Sequence, residues 1–324
     1  MDAIQIEQLG GPEVLHAAEL PNPTPGPGEV LVRVAAAGLN FVDTYHRTGL
    51  YPHQLPFVPG QEGSGVIEAT GPDVTDMAPG DRVAWTDCYG SYAQLVSIPA
   101  ARAVPVPDEV ELETAAAALL QGMTAHYLVN DTYPVQTGDS CLLYAAAGGV
   151  GTLLTQMVSF VGGESFAVVG SEAKAEVARS AGAHHVIVAG DGDLLEQIES
   201  VAGRRRMAVV YDGVGAATFE TSLRLLRRRG MLVAFGNASG PVPPIDVLTL
   251  SRNGSLFLTR PALGDYIVER ADLEQRANEL FDWIGSGRLA VTVGARYPLA
   301  EAAEAHRALE GRQTIGKVLL STEY

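Results

Sequence analysis

The chain has 324 residues, 47% of them hydrophobic and 19% charged, which exceeds the length at which one core keeps growing and favours two domains with a small-molecule site between them. A formal charge of −16, from 22 Lys and Arg against 38 Asp and Glu, argues against nucleic acid or an anionic membrane as the main partner. No apolar run approaches the ~20 residues of a membrane span, the first residues lack a basic leader, and Cys88 and Cys141 cannot make a disulfide framework, so a cytoplasmic protein is expected.

From Ala3 to Pro107 the chain reads as short Val- and Ile-rich strands cut by turns such as PTPGPGE, ATGPD and APGD. The strands fall at Ile4 to Gln8, Val30 to Ala36, Gly65 to Ala69, Arg82 to Trp85 and Tyr92 to Ile98, and predict a largely antiparallel β-barrel-like domain. Two helical stretches follow, Glu111 to Leu120 and Thr124 to Asp131. Strand-like runs then alternate with helical patterns at Ser165 to Val169, His185 to Val188, Ala208 to Tyr211, Leu232 to Phe235 and Ser255 to Thr259. That alternation predicts a parallel sheet covered on both faces, the doubly wound architecture. Arg204, Arg205 and Arg206 precede one strand, while Arg227, Arg228 and Arg229 close a helical pattern, where cations offset the helix dipole; both triplets read as solvated surface. A long helical pattern from Asp265, a strand near Val291 to Tyr297, a helix from Leu299 to Leu309 and a final strand Gly316 to Leu320 complete the chain. The simplest topology returns them to the first domain, giving residues 1–122 and 262–324 to a catalytic domain and 123–261 to an inserted cofactor domain.

Cys141 to Gly151 reads CLLYAAAGGVG, an apolar strand entering a glycine-rich turn. Beyond it Val150, Leu153, Leu154, Met157, Val158 and Val161 form one apolar helical stripe. In a dinucleotide fold such a turn lets backbone approach the pyrophosphate, whose charge rests on free N–H groups at the helix N-terminus. The G-x-G-x-x-G positions fall on Ala146, Gly148 and Gly151, with Gly149 and Val150 between the last two. An NAD site places Asp or Glu about 20 residues past the glycines; here Gly170 and Ser171 stand there, and Lys174 can meet a 2′-phosphate, so NADPH is expected.

The run GLNFVDTYHRTGLYP, Gly38 to Pro52, with GQEGSG, AAAGGVG, VVYDGVG and FGNASG, resembles the zinc-free, zeta-crystallin-like quinone oxidoreductases of the medium-chain dehydrogenase/reductase superfamily. The resemblance covers essentially the whole chain and implies an α/β fold: a GroES-like β-barrel catalytic domain plus a Rossmann cofactor domain. It further implies NADPH and quinone-type substrates. Where zinc-dependent relatives hold metal ligands, this chain carries Asn40, Gln61 and the cysteine-free stretch LLQGMT, so no metal is expected. Without a Lewis acid, simple alcohol oxidation loses several kcal/mol of transition-state stabilisation, which favours acceptors that are already electrophilic.

Residues are carried over from the resemblance position by position. Asn40 and Tyr45 match residues at the nicotinamide end of the site, and Tyr51 matches a proton-donating tyrosine of enoyl-thioester reductases or an aromatic wall. Phe235 and Asn237 belong to a cofactor loop, joined by Arg312 near the end of the chain. Gln61, Arg47 and Lys317 are weaker candidates. Relatives often carry a tyrosine near the 2′-phosphate where this chain has Ala189, with Asp191 and Asp193 close behind, so affinity for NADPH rests on Ser171 and Lys174. The leading expectation is NADPH-dependent quinone reduction. The alternatives are an enoyl or alkenal reductase, and a redox sensor or nucleic-acid binder with little turnover. The strand SLFLTRPAL at the sheet's end predicts a homodimer through edge pairing.

Overall fold

The computed structural model describes residues 1–322. The chain divides into two compact units, Met1–Met123 with the segment from Ile267 onward, and Thr124–Tyr266. No helix among the described residues is long and apolar enough to cross a membrane.

The first unit opens with strands β1 (Asp2–Gln5), β2 (His16–Glu19) and β3 (Glu29–Leu39), and helix α1 (Phe41–Thr48). It continues through β4 (Glu62–Thr70), β5 (Arg82–Thr86), β6 (Leu95–Pro99), β7 (Ala103–Pro105) and helix α2 (Leu112–Tyr127). β3 pairs antiparallel with β4 and β6, and β5 joins β4 to β7. Alternation along β3 buries Val30, Val32 and Val34, which meet Ile67, Val83, Trp85 and Ile98 in one apolar cluster. The strand expected from Tyr92 begins only at Leu95, because Tyr92 and Gln94 donate their N–H groups to Pro59 and Asp2. Nor do two helices flank residue 122: α2 runs through it. Gly122 is tolerated mid-helix because a Cβ there would stand 3.0 Å from both methyl carbons of Leu280, so its missing side chain permits close packing.

The second unit alternates strands with helices: β8 (Ser140–Tyr144), α3 (Gly149–Phe160), β9 (Glu164–Val169), α4 (Glu172–Ser180), β10 (His185–Val188), α5 (Leu194–Ala202) and β11 (Met207–Asp212). It ends with α6 (Phe219–Leu225), β12 (Leu226–Ala234), α7 (Leu248–Arg252), β13 (Phe257–Thr259) and α8 (Leu263–Tyr266). The sheet is parallel throughout, in the order β10-β9-β8-β11-β12-β13, so its topological switch lies between β8 and β11. The arginine triplet Arg227 to Arg229 does not close a helix. Leu225 and Leu226 are both fully buried, which draws the chain into the sheet early, and the arginines lie within β12. Met207 pairs with Leu226 and Val209 with Met231, so Arg227 to Gly230 are thrown out of the ladder as a bulge.

The remainder, α9 (Arg270–Gly285), β14 (Val293–Pro298), α10 (Ala302–Glu310) and β15 (Lys317–Ser321), completes the first unit. β14 pairs parallel with β15, and β15 pairs antiparallel with β3, placing Leu320 opposite Ala37.

Candidate functional site

The phosphate turn stands at the carboxyl end of β8. Ala146 is fully buried and its N–H donates to Val168 O, so it braces the turn from beneath. Gly148 is the N-cap of α3, no side chain caps the helix, and no carboxylate lies in its first turn. Gly148, Gly149 and Val150 are half-buried, leaving first-turn amides near the surface. A Cβ on Gly151 would stand 2.6 Å from Ala146 Cα and nearer still to Ala145 O, a contact real side chains do not make. These features fit a bound pyrophosphate.

Past β9, Gly170 is exposed and a Cβ there would meet nothing within 4 Å. Ser171 is the N-cap of α4, its hydroxyl accepting from the Lys174 N–H at 3.4 Å, and Lys174 lies half-buried in the first turn. Asp193, near Ala189, accepts from Leu195 N–H at 2.8 Å and caps α5. Phe235 and Asn237 follow β12. The Phe235 ring lies over Gly213, where a Cβ would come within 3.0 Å, and the Asn237 amide, turned so that its nitrogen donates to Gly236 O at 3.0 Å, would accept from Arg260 Nη2 at 3.3 Å. Behind them Asp212 is buried and accepts from the N–H groups of Val214 and Gly215 and from the hydroxyls of Thr218 and Ser222, which holds the VVYDGVG turn closed.

In the first unit, the α1 region holds a buried polar network. Asn40 is 3% exposed and its amide is fully engaged: Nδ2 donates to Gly38 O at 3.1 Å and Glu62 Oε2 at 2.8 Å, while Oδ1 accepts from Lys317 Nζ at 2.8 Å and Gln121 at 3.1 Å. No amide position remains for a ligand, so Asn40 is scaffold. Lys317 forms an ion pair with Glu62, both essentially fully buried, which removes it as a cofactor contact. Burial pulls the Lys317 ammonium below its ordinary value, while Glu62 and Asp43 hold it up. Gly38 makes room for this pair, since a Cβ there would lie 2.6 Å from Ala116 O and 2.8 Å from Lys317 Cε. Arg47, also buried, pairs with Glu310 at 2.7 Å and ties α1 to α10. Arg312 is exposed, with φ of 57°, in the loop after α10.

A second chain of bonds fixes protons. Arg47 Nη1 lies 3.0 Å from His306 Nδ1 and can only donate, so the ring proton sits on Nε2, 3.2 Å from Tyr92 OH; that hydroxyl donates to Asp43 Oδ2. Burial pushes the His306 imidazole down to about 3, and burial raises the Asp43 carboxyl to about 7. Asp43 Oδ2 accepts from both the Tyr92 hydroxyl and the Asn40 N–H, while Oδ1 has no partner. The unfolded chain protonates His306 as pH falls through ~6.5 and the native one does not, so this group costs stability as pH falls. The sign reverses for Asp43: the native chain keeps its proton up to about 7 whereas the unfolded chain releases it near 3.8, so stability is lost as pH rises between them. Asp43→Asn, a neutral isostere, is therefore expected to gain stability over the parent by about 1.4 kcal/mol per pH unit between pH 4 and 7. Urea titrations of both proteins at several pH values test this; a pH-independent difference would refute it.

Beside this network lies an aromatic group. Tyr45 is buried and packs edge-on to Tyr51 at 5.2 Å and against Phe41 at 5.8 Å. His46 lies edge-on to Tyr51 and Tyr89, and His53 stacks on Phe57 at 4.1 Å. Gln61 Nε2 and Tyr89 OH each lie 3.2 Å from His46 Nε2, and burial lowers the imidazole's basicity. The sequence reading found Tyr45, Tyr51 and Gln61 here but missed Glu62, His46 and Tyr89. Glu62 stood inside a quoted motif, yet nothing local marks its partner 255 residues away. Among the described residues, no group of three or more His, Cys, Asp or Glu is placed to hold a metal ion.

A largely antiparallel β unit together with a doubly wound unit bearing a phosphate turn defines a medium-chain dehydrogenase/reductase. Residues 26–108 match the alcohol dehydrogenase GroES-like domain and residues 181–320 the zinc-binding dehydrogenase family. A quinone oxidoreductase of Pseudomonas aeruginosa is 43% identical, covering 98% of both chains, and a 2-haloacrylate reductase of a Burkholderia species is 41% identical with the same coverage. A crystal structure of Escherichia coli quinone oxidoreductase complexed with NADPH superposes with a TM-score of 0.96 at 40% identity, covering 99% of this chain and 100% of that one. The chain belongs to the zinc-free quinone oxidoreductase family.

Proposed function

We propose that this protein reduces quinones with NADPH. The carrying observation is the uncapped, carboxylate-free start of α3 with Ser171 and Lys174 beyond β9, a donor set suited to a pyrophosphate and a 2′-phosphate. NADPH in the related Escherichia coli structure supports the same reading. Bound NADPH supplies hydride; one hydride and one proton convert a quinone to its hydroquinone.

The chain's own residues bind and orient. The amides of Gly148, Gly149, Val150 and Gly151 hold the pyrophosphate, with Ala146 beneath them. Phe235 and Asn237 present a loop to the cofactor, and Arg312 adds a charge. Tyr45 and Tyr51, on an aromatic group that suits a flat acceptor, contact the quinone, and Tyr51 donates the proton. Asn40 positions α1. Exposed Phe257 and Leu258 on the edge strand β13 favour pairing with a second copy as a homodimer in the cytoplasm.

The test is steady-state oxidation of NADPH, and separately NADH, with 1,4-benzoquinone. Lys174→Ala is expected to raise KM for NADPH by about 10- to 100-fold, the loss of one charge-assisted hydrogen bond, with kcat and the NADH reaction little changed. Equal effects on both cofactors would remove Lys174 from the phosphate site. The Burkholderia relative favours a second reading, reduction of an activated alkene. A higher kcat/KM for 2-chloroacrylate than for benzoquinone would make that the main activity.

A further inference from the structure

The arginine triplets assigned to solvated surface converge at one place in the second unit. Arg204 and Arg205 precede β11, Arg224 lies in the last turn of α6, and Arg228 and Arg229 ride the bulge of β12. With Glu199 and Asn253, the first three line an open depression of about 580 Å³, within the size range of small-molecule sites. Arg205 is held there by Asn253, donating to its carbonyl at 3.2 Å and to its Oδ1 at 3.4 Å. Gly254 keeps Arg228 beside Arg205, since a Cβ there would stand 3.3 Å from Arg228 Cγ and 3.7 Å from Arg205 Nη1.

Charge sets this cluster apart. The neighbouring Arg206 and Arg227 are paired, with Glu164 and Asp139. Arg204 reaches Glu199 only at 3.4 Å, and among the described residues the side chains of Arg224, Arg228 and Arg229 make no ion pair or hydrogen bond. In a chain of net charge −16, the unpaired Arg224 thus lines the depression with Arg204, Arg205 and a single carboxylate, Glu199, and Arg228 stands beside Arg205 at Gly254. Arg205 and Arg229 also adopt left-handed backbone conformations, φ of 48° and 60°, which side chains rarely take up. The location is distinct as well. The phosphate turn lies at the carboxyl end of the strands, where α/β sheets bind their cofactors, whereas this cluster lies at the amino ends of β11 and β12.

We propose that the cluster is a second anion site, which takes a chain of phosphate groups. Guanidinium forks match phosphate oxygens in pairs, and a row of them around a depression fits two or three linked phosphates better than a lone anion. Inorganic polyphosphate and the phosphate chain of a nucleotide share this chemistry.

The test is calorimetric titration of inorganic tripolyphosphate at low ionic strength, into protein with and without saturating NADPH. With NADPH saturating the phosphate turn one equivalent is expected to bind, and the same equivalent persists without NADPH beside any binding at the turn; it is at least tenfold weaker in the Arg205→Ala/Arg224→Ala double variant and in Arg228→Glu, and unchanged in Arg33→Ala of the first unit. These side chains are exposed, and circular dichroism checks that the variants fold. ATP binding at equal affinity assigns recognition to the phosphates alone, and tighter ATP binding adds a nucleoside contact; both support the site. Absence of binding, binding abolished by NADPH, or binding indifferent to the arginines would overturn it. So would binding confined to a single-stranded oligonucleotide, which would make the cluster a polymer-binding surface.

Discussion

Lys317→Met is expected to destabilise the protein by about 3–5 kcal/mol, because it leaves Glu62 as an uncompensated charge in a site without water access. Glu62 keeps the Leu120 N–H at 2.6 Å and Asn40 at 2.8 Å, but neither carries a positive charge. The double variant Glu62→Gln/Lys317→Met removes both charges and is expected to recover most of the loss, since the attraction within a buried pair is largely offset by the cost of desolvating both charges, and that cost is removed with them. Urea denaturation at neutral pH measures all three proteins. A single variant as stable as the parent, or a double variant no better than the single, would show that the pair does not act as a unit. NADPH affinity per folded molecule should survive in Lys317→Met, which separates this role from direct cofactor contact.

Gly151→Ala is expected to weaken NADPH binding by about 100-fold, equivalent to roughly 3 kcal/mol, while the first unit stays folded. The added carbon would overlap Ala145 O and Ala146 Cα, backbone atoms that cannot swing aside, so α3 must move away from β8. Since the pyrophosphate is read by amides at that helix start, a shift of a few tenths of an ångström spoils several hydrogen bonds together. Fluorescence titration with NADPH gives the affinity. Unchanged binding in a folded variant would place the cofactor elsewhere.

The parts of the fold legible in the sequence were those governed by near neighbours. β8, the glycine turn and α3 lie within 21 residues, and strand, turn and apolar stripe each leave a local signature. Tyr45 and Tyr51 were legible through a contiguous motif. Partners distant in sequence were not: Arg47 meets His306 across 259 positions, and Tyr92 meets the same histidine across 214. Lys317 stood as a possible cofactor contact because only the tertiary structure supplies Glu62. The helical stretches were expected to part between Leu120 and Thr124, and what lets Gly122 continue the helix, the closeness of Leu280, lies 158 residues further on. Arg227 to Arg229 followed a helical pattern closely enough to be mistaken for its end, and burial of Leu225 and Leu226 decided otherwise.

The place of β15 sets an order on synthesis. The second unit is continuous in sequence, so all its strands have been made before translation reaches Lys317, and it can fold while the chain is still growing. The first unit must wait. Until β15 arrives, the β3 edge from Ala36 to Leu39 is an open template and Glu62 has no cation, so a nascent chain holds a half-built sheet for the whole time its other half is being made.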